Sequence, residues 1–132
     1  MTETGFVPKA RYMMRALELA AQAAAMGEVP VGAVVVQKST GRIIGEGYNR
    51  READRSPLAH AEIMAIDAAS RTLGGWRLLD SALYVTLEPC PMCAGAILHA
   101  RLEQVVYGTA DPKGGAVDSV EQLFTLPYNW TP

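Results

Sequence analysis

Cysteine and histidine are scarce in this chain of 132 residues, which has two of each. Two cysteines three positions apart exclude the multi-bridge frameworks of small secreted domains. An excess of one charge is missing as well: twelve Lys and Arg against fourteen Asp and Glu leave a net charge of −2, unlike the strongly basic domains that trap phosphate backbones. No apolar run approaches the roughly 20 residues that span a bilayer, and no charged leader followed by a long apolar stretch opens the chain. A cytoplasmic protein without membrane attachment is the expectation. Trp76 and Trp130 are the only tryptophans, too few for an aromatic stacking platform. Repeats and low-complexity segments are absent. With 49% hydrophobic and 20% charged residues, the chain suits one compact domain around a single core.

Three of those four scarce residues fall into one pattern, His60-Ala61-Glu62 followed by Pro89-Cys90-Pro91-Met92-Cys93. Catalytic zinc takes three protein ligands and keeps its fourth position for water, whereas structural zinc closes all four. His60, Cys90 and Cys93 supply three, for one Zn2+ per chain, and Glu62 is left over to move protons. Ser56-Pro57-Leu58-Ala59 precedes the apolar-periodic run Ile63, Met64, Ile66, so His60 and Glu62 fall in or near the first turn of a helix. Pro91 stands where a helix's first residue would be, after the strand-like Ala82–Leu87. Both thiols therefore lie at a helix N-terminus, where the macrodipole and unpaired N–H groups favour the metal-binding thiolate. Cys90-x-x-Cys93 alone is also the spacing of a thioredoxin-type redox pair, and Glu62 alone is a first-turn carboxylate complementing the dipole. Their conjunction with His60 turns the reading to hydrolytic metal chemistry.

The remaining pattern predicts an opening helix from about Pro8 to Met26, rich in alanine. A hairpin of strands Gly32–Gln37 and Ile43–Tyr48 follows, turning at Ser39-Thr40-Gly41. Next come a helix from about Leu58 to Leu73 ending at Gly74-Gly75, the strand at Leu83, a helix Pro91–Ala100, and a strand at Val105-Val106-Tyr107. Helices alternating with strands indicate an α/β layer fold with right-handed crossovers, whose ligands bind beyond the carboxyl ends of strands. Gly45-x-Gly47 marks a bulge or close packing rather than a phosphate loop. His99, roughly 240° around its helix from Cys93 at 100° per residue, stays outside the site. Glu88 reads as a supporting or capping carboxylate.

The H-x-E and P-C-x-x-C pairing is the known signature of zinc-dependent deaminases. The chain resembles these nucleoside and nucleobase deaminases, and within them the bacterial tRNA adenosine deaminases, along nearly its whole length. The resemblance is carried by Glu28-Val29-Pro30-Val31-Gly32-Ala33-Val34, Gly45-Glu46-Gly47-Tyr48-Asn49-Arg50, Ala59-His60-Ala61-Glu62-Ile63, Leu87 to Ile97, and Asp111-Pro112-Lys113-Gly114-Gly115-Ala116. That last block separates the tRNA branch from guanine and cytidine deaminases. The resemblance implies a three-layer fold, a central mixed sheet flanked by helices, and a homodimer. It implies hydrolytic deamination of the wobble adenosine of a tRNA anticodon stem-loop, with attack at C6 and Glu62 as proton shuttle. It also implies that Asn49 contacts the flipped nucleoside, the Ala61 backbone reads the base edge, and Pro30 and Val31 wall the pocket. Asn49 read alone also suits a turn residue ending a strand. Arg50, Arg51, Arg55 and Lys113 form local basic clusters, open to phosphate contact or to a solvated surface. The resemblance further implies another strand and a C-terminal helix beyond Asn129, where this sequence stops at Pro132 with Trp130 in place of a familiar histidine. The apolar residues Leu123, Phe124, Leu126, Tyr128 and Trp130 then lead to the expectation of a missing covering segment and an exposed sheet edge. The nearest alternative is a free-base or nucleoside deaminase such as guanine deaminase. A non-catalytic zinc-stabilised or redox module is the alternative of another class.

Overall fold

The computed structural model describes residues 6–125. In chain order the elements are α1 (Ala10–Ala25), β1 (Gly32–Gln37), β2 (Arg42–Tyr48), α2 (Ala61–Leu73), β3 (Ser81–Leu87), α3 (Pro91–Ala100) and β4 (Gln104–Thr109), with a short 3-10 turn at Leu123–Thr125. The strands form one sheet in the order β2-β1-β3-β4. β1 pairs antiparallel with β2 and β3, and β3 runs parallel to β4, so the sheet is mixed, as the resemblance implies.

Alternation along β1 builds the three layers. Val34 and Val36 join Tyr12 and Leu19 of α1 on one face. Ala33 and Val35 point the other way, toward Ala61, Ala65 and Ala69 of α2 and Ile97 of α3. A strand covered on both faces has no solvated side. That is why Ala33-Val34-Val35-Val36 is an unbroken apolar run and why all four residues are buried.

Two departures from the sequence-based boundaries have local causes. α1 ends at Ala25, and Gly27, at φ 77°, turns the chain away. α2 begins at Ala61 rather than near Leu58. The Ala59 carbonyl accepts the Arg50 N–H at 2.9 Å, which ties residue 59 to the end of β2 and leaves His60, in extended conformation, as the N-cap.

The glycines of β2 set how closely α2 approaches. The β1–β2 register slips between Val35 and Val36, marking a bulge beside Gly45. A Cβ placed on Gly45 would lie 2.3 Å from the Ala65 carbonyl, and one on Gly47 would lie 2.4 Å from that of Ala61. Both halves of the bulge-or-packing reading apply.

Phe124 packs against the α2–α3 side of the core, so that part of the apolar end is covered. Leu126, Tyr128, Asn129 and Trp130, on which the expectation of an uncovered end also rests, lie outside the described residues. β4 is an edge strand among the described residues.

Candidate metal centre and active site

Two helix starts meet at one point because both helices begin just after turns at the same end of the sheet. His60 is the N-cap of α2, Cys90 is the N-cap of α3, and Cys93 sits in the first turn of α3 behind Pro91. Neither helix has a side-chain cap, so the unpaired N–H groups and positive dipole ends of both face this region.

His60 Nδ1 lies 3.8 Å from Cys90 Sγ and 3.6 Å from Cys93 Sγ, and ligand atoms of all three residues fall within 4.8 Å of one another. Tetrahedral zinc with Zn–N near 2.0 Å and Zn–S near 2.3 Å requires N–S and S–S edges of roughly 3.5–3.8 Å. The donor set therefore fits zinc in chemistry, and its two N–S distances match the tetrahedral edge. No fourth His, Cys, Asp or Glu joins the group among the described residues, which leaves a position open.

The thiols are poised unequally. The Cys90 thiol is held down to about 5, first by hydrogen bonding from Cys93 and, against the cost of burial, by the Cys93 N–H and by His60. Cys93, fully buried, is pushed up by its hydrogen bond to Cys90 and by burial. A bound dication reverses that burden by stabilising thiolate.

Glu62 is 4% exposed. Its carboxyl is raised to about 7, chiefly by burial and then by the neighbouring Cys90, with its own N–H and Cys93 opposing. It lines, with His60, Ala61 and Cys90, an open cavity of about 150 Å³ whose walls are Val29, Val31, Asn49, Arg51, Leu87, Glu88 and Asp111. A buried carboxyl beside a three-ligand metal set is placed for proton transfer. These features define a hydrolytic metal site, opened at the carboxyl end of β3.

The other residues singled out in the sequence divide. Ala61 lines the cavity as the first residue of α2. Asn49 is buried and lines it too. Its Oδ1 accepts the Arg51 N–H at 3.3 Å, as a turn asparagine does, while its amide nitrogen has no partner among the described residues. Val31 is a wall, but Pro30 is exposed and is not part of the lining; Val29 is. Arg51 reaches the rim. Arg50 is held by Asp54 and by the Tyr48 hydroxyl, both at 3.0 Å. Arg55 and Lys113 are exposed and outside the cavity. His99 lies exposed in the last turn of α3.

Glu88 is 2% exposed and organises the loop after β4. It accepts the backbone N–H groups of Asp111 (3.1 Å), Val117 (3.1 Å), Asp118 (2.7 Å) and Ser119 (2.9 Å), and the Ser119 hydroxyl. Burial would push this carboxyl up; those donors outweigh it and hold it at about 2. A Cβ on Gly115 would lie 2.3 Å from the Glu88 carboxyl carbon, so the glycine lets the loop close on it. Asp111 was missed as a cavity residue, although the Asp-Pro-Lys-Gly run signals the Asx turn by which it accepts the N–H groups of Lys113 and Gly114.

A family profile described as the cytidine and deoxycytidylate deaminase zinc-binding region matches residues 8–109. The chain belongs to that zinc-dependent deaminase family. It is 50% identical over 112 residues to the tRNA-specific adenosine deaminase of Bacillus subtilis, covering 85% of this chain and 68% of the relative. It is 55% identical over 113 residues to the protein of that name from Haemophilus influenzae, covering 85% and 65%. The chain thus spans about two thirds of the length of these curated relatives. Among solved structures, one from a study of A-to-I editing by tRNA:A34 deaminases at the wobble position of transfer RNA superposes with a TM-score of 0.89 at 44% identity, covering 94% of this chain and 88% of that one. Guanine deaminase from Bacillus subtilis superposes with a TM-score of 0.74 at 32% identity, covering 91% and 86%.

Proposed function

We propose that this chain is the zinc-dependent catalytic domain of a tRNA adenosine deaminase, converting adenosine to inosine at the wobble position of an anticodon. The observation that carries the reading is the Glu62 carboxyl buried beside the His60–Cys90–Cys93 set, in a chain about half identical to tRNA-specific adenosine deaminases.

His60, Cys90 and Cys93 would hold a zinc ion, which would lower the pKa of water toward 7 and so supply a nucleophile at neutral pH. Glu62 takes the proton from the attacking water, protonates the ring nitrogen, and delivers a proton to the departing amine, so that adenosine and water become inosine and ammonia. Asn49, through its amide nitrogen, and the Ala61 N–H at the helix start hold the base edge. Val29 and Val31 exclude water from one side. An adenine inside a helix could not reach so recessed a centre, so the nucleotide enters flipped out of its stack.

Arg51 at the rim, with Arg55 and Lys113 beyond it, meets the anticodon phosphates; the chain as a whole is mildly acidic, so this attraction is local. No helix among the described residues is long and apolar enough to cross a membrane, and the setting we assign is the cytoplasm, as a homodimer of single deaminase domains.

A deamination assay comparing an anticodon stem-loop, guanine and cytidine, each with and without chelator, tests the assignment. Inosine formation in the stem-loop alone, abolished by chelator, is expected. Preferential turnover of guanine would replace the assignment with the free-base alternative, and chelator-insensitive protein without turnover would point to the redox module.

A further inference from the structure

Glu28 is a third buried carboxylate after Glu62 and Glu88, 7% exposed; it lies outside the cavity lining, next in sequence to its wall residue Val29, and the chemistry makes no use of it. Its backbone is fixed at the end of α1, where its N–H donates to the Ala23 carbonyl at 3.0 Å just after the turn at Gly27. Its side chain crosses to the segment after β2. Oε1 accepts the Glu52 N–H at 3.2 Å and Oε2 accepts the Ala53 N–H at 2.8 Å.

That segment is a tight turn. The Asp54 N–H donates to the Arg50 carbonyl at 2.8 Å, Arg55 to Glu52 at 3.3 Å, and Ser56 to Arg51 at 3.1 Å. The N–H groups of residues 52 and 53 open the turn and point away from these bonds, as the first N–H groups of a helix do. Glu28 caps them from 24 residues upstream. The residue after Glu28 is Val29, a wall of the cavity, and the residue before Glu52 is Arg51, at its rim. One carboxylate therefore joins wall to rim.

We infer that Glu28 is a positioning residue for RNA, holding Arg51 at the cavity mouth where the phosphates flanking the target nucleotide pass. The inference rests on the proposed RNA substrate. A carboxylate is suited to the task because it accepts two N–H groups at once. Loss of a hydrogen bond to a charged acceptor weakens a coupled interaction by about tenfold or more.

Single-turnover deamination of an anticodon stem-loop by the zinc-loaded protein separates binding from chemistry. Glu28→Ala is expected to raise the half-saturating concentration about tenfold while the saturating rate stays within about threefold. Glu28→Gln, which retains one acceptor oxygen, falls between. In an Arg51→Ala background, Glu28→Ala adds nothing, as expected of residues acting in series. Amide exchange at Glu52 and Ala53, followed by NMR, accelerates in Glu28→Ala, with the sheet unaffected. A lost saturating rate with unchanged half-saturation, additive effects in the double variant, or a Glu28→Ala protein equal to wild type would each overturn the inference. Unchanged exchange at Glu52 and Ala53 overturns it without any substrate. That result is distinct from failure of the wild-type protein on the stem-loop, which overturns the substrate assignment.

Discussion

Replacing Gly47 by alanine perturbs the site from outside it, and the size of the effect follows from the packing of α2 on β2. The added Cβ would stand 2.4 Å from the Ala61 carbonyl oxygen, 2.6 Å from Met64 Cβ and 2.7 Å from the Ala65 nitrogen. Comfortable contacts of this kind are about 3.5 Å, so the start of α2 must retreat by roughly 1 Å. The atoms in the way are backbone and the first side-chain carbon, which have no rotamer to escape into. Overpacking of this kind costs about 1–3 kcal/mol, or roughly 3–10 °C in melting temperature for a domain of this size. Ala61 lies between His60 and Glu62, so the same retreat displaces a ligand and the proton carrier. A misplacement of about 1 Å can slow a reaction by about 100-fold. Thermal melting of metal-free protein, zinc release to a competing chelator, and deamination rate should all worsen together in Gly47→Ala. Gly95→Ala is the control: it sits inside α3 with nothing within 4 Å of its Cβ position, and gains about 0.5–1 kcal/mol from helix propensity. Wild-type melting and turnover in Gly47→Ala, or equal losses in both variants, would refute the account of how α2 is seated.

Glu62→Ala removes the proton carrier and no metal ligand: metal analysis should still find about one zinc per chain, while deamination falls by about 10²- to 10⁴-fold. Near-normal turnover would remove the assigned role. Neutralising Arg51 and Arg55 should weaken stem-loop binding and flatten its dependence on salt by about one unit of slope or less per lost phosphate contact; an unchanged slope would mark a merely solvated surface. Glu88 is held at about 2 in the folded chain against an ordinary 4.5. A lowered carboxyl contributes stability that is complete above the ordinary value and is lost as pH falls toward the folded one, here between about 4.5 and 2, to a total of about 3 kcal/mol. Urea unfolding of metal-free protein should show that loss in wild type, and Glu88→Gln should lack it.

The metal set was legible because its residues come in two short-range motifs, His60-x-Glu62 and Cys90-x-x-Cys93, each close to a helix start. Pro91 fixed the start of α3, and Gly74 marked the end of α2. The continuous apolar run of β1 and the Ser39-Thr40-Gly41 turn gave the hairpin with its β1 boundaries intact. Strand order was not legible, since nothing local records that β1 lies between β2 and β3. Nor was the work of Glu28, nor, for Glu88, which segment its capping carboxylate holds. Each answers backbone N–H groups more than 20 residues away, and a backbone donor carries no residue type for a sequence to display. The start of α2 was misplaced for the same reason, because the Arg50–Ala59 bond that delays it is a contact between segments.

The most direct measurement is reconstitution: strip the protein of metal, titrate zinc back, and follow inosine formation in an anticodon stem-loop against bound zinc. Activity should be absent without metal, rise in proportion to zinc, and saturate at about one ion per chain, with Cys90→Ser and Cys93→Ser failing to recover. Full activity in metal-free protein, or a Cys90–Cys93 disulfide in the active form, would contradict the assignment of a zinc deaminase.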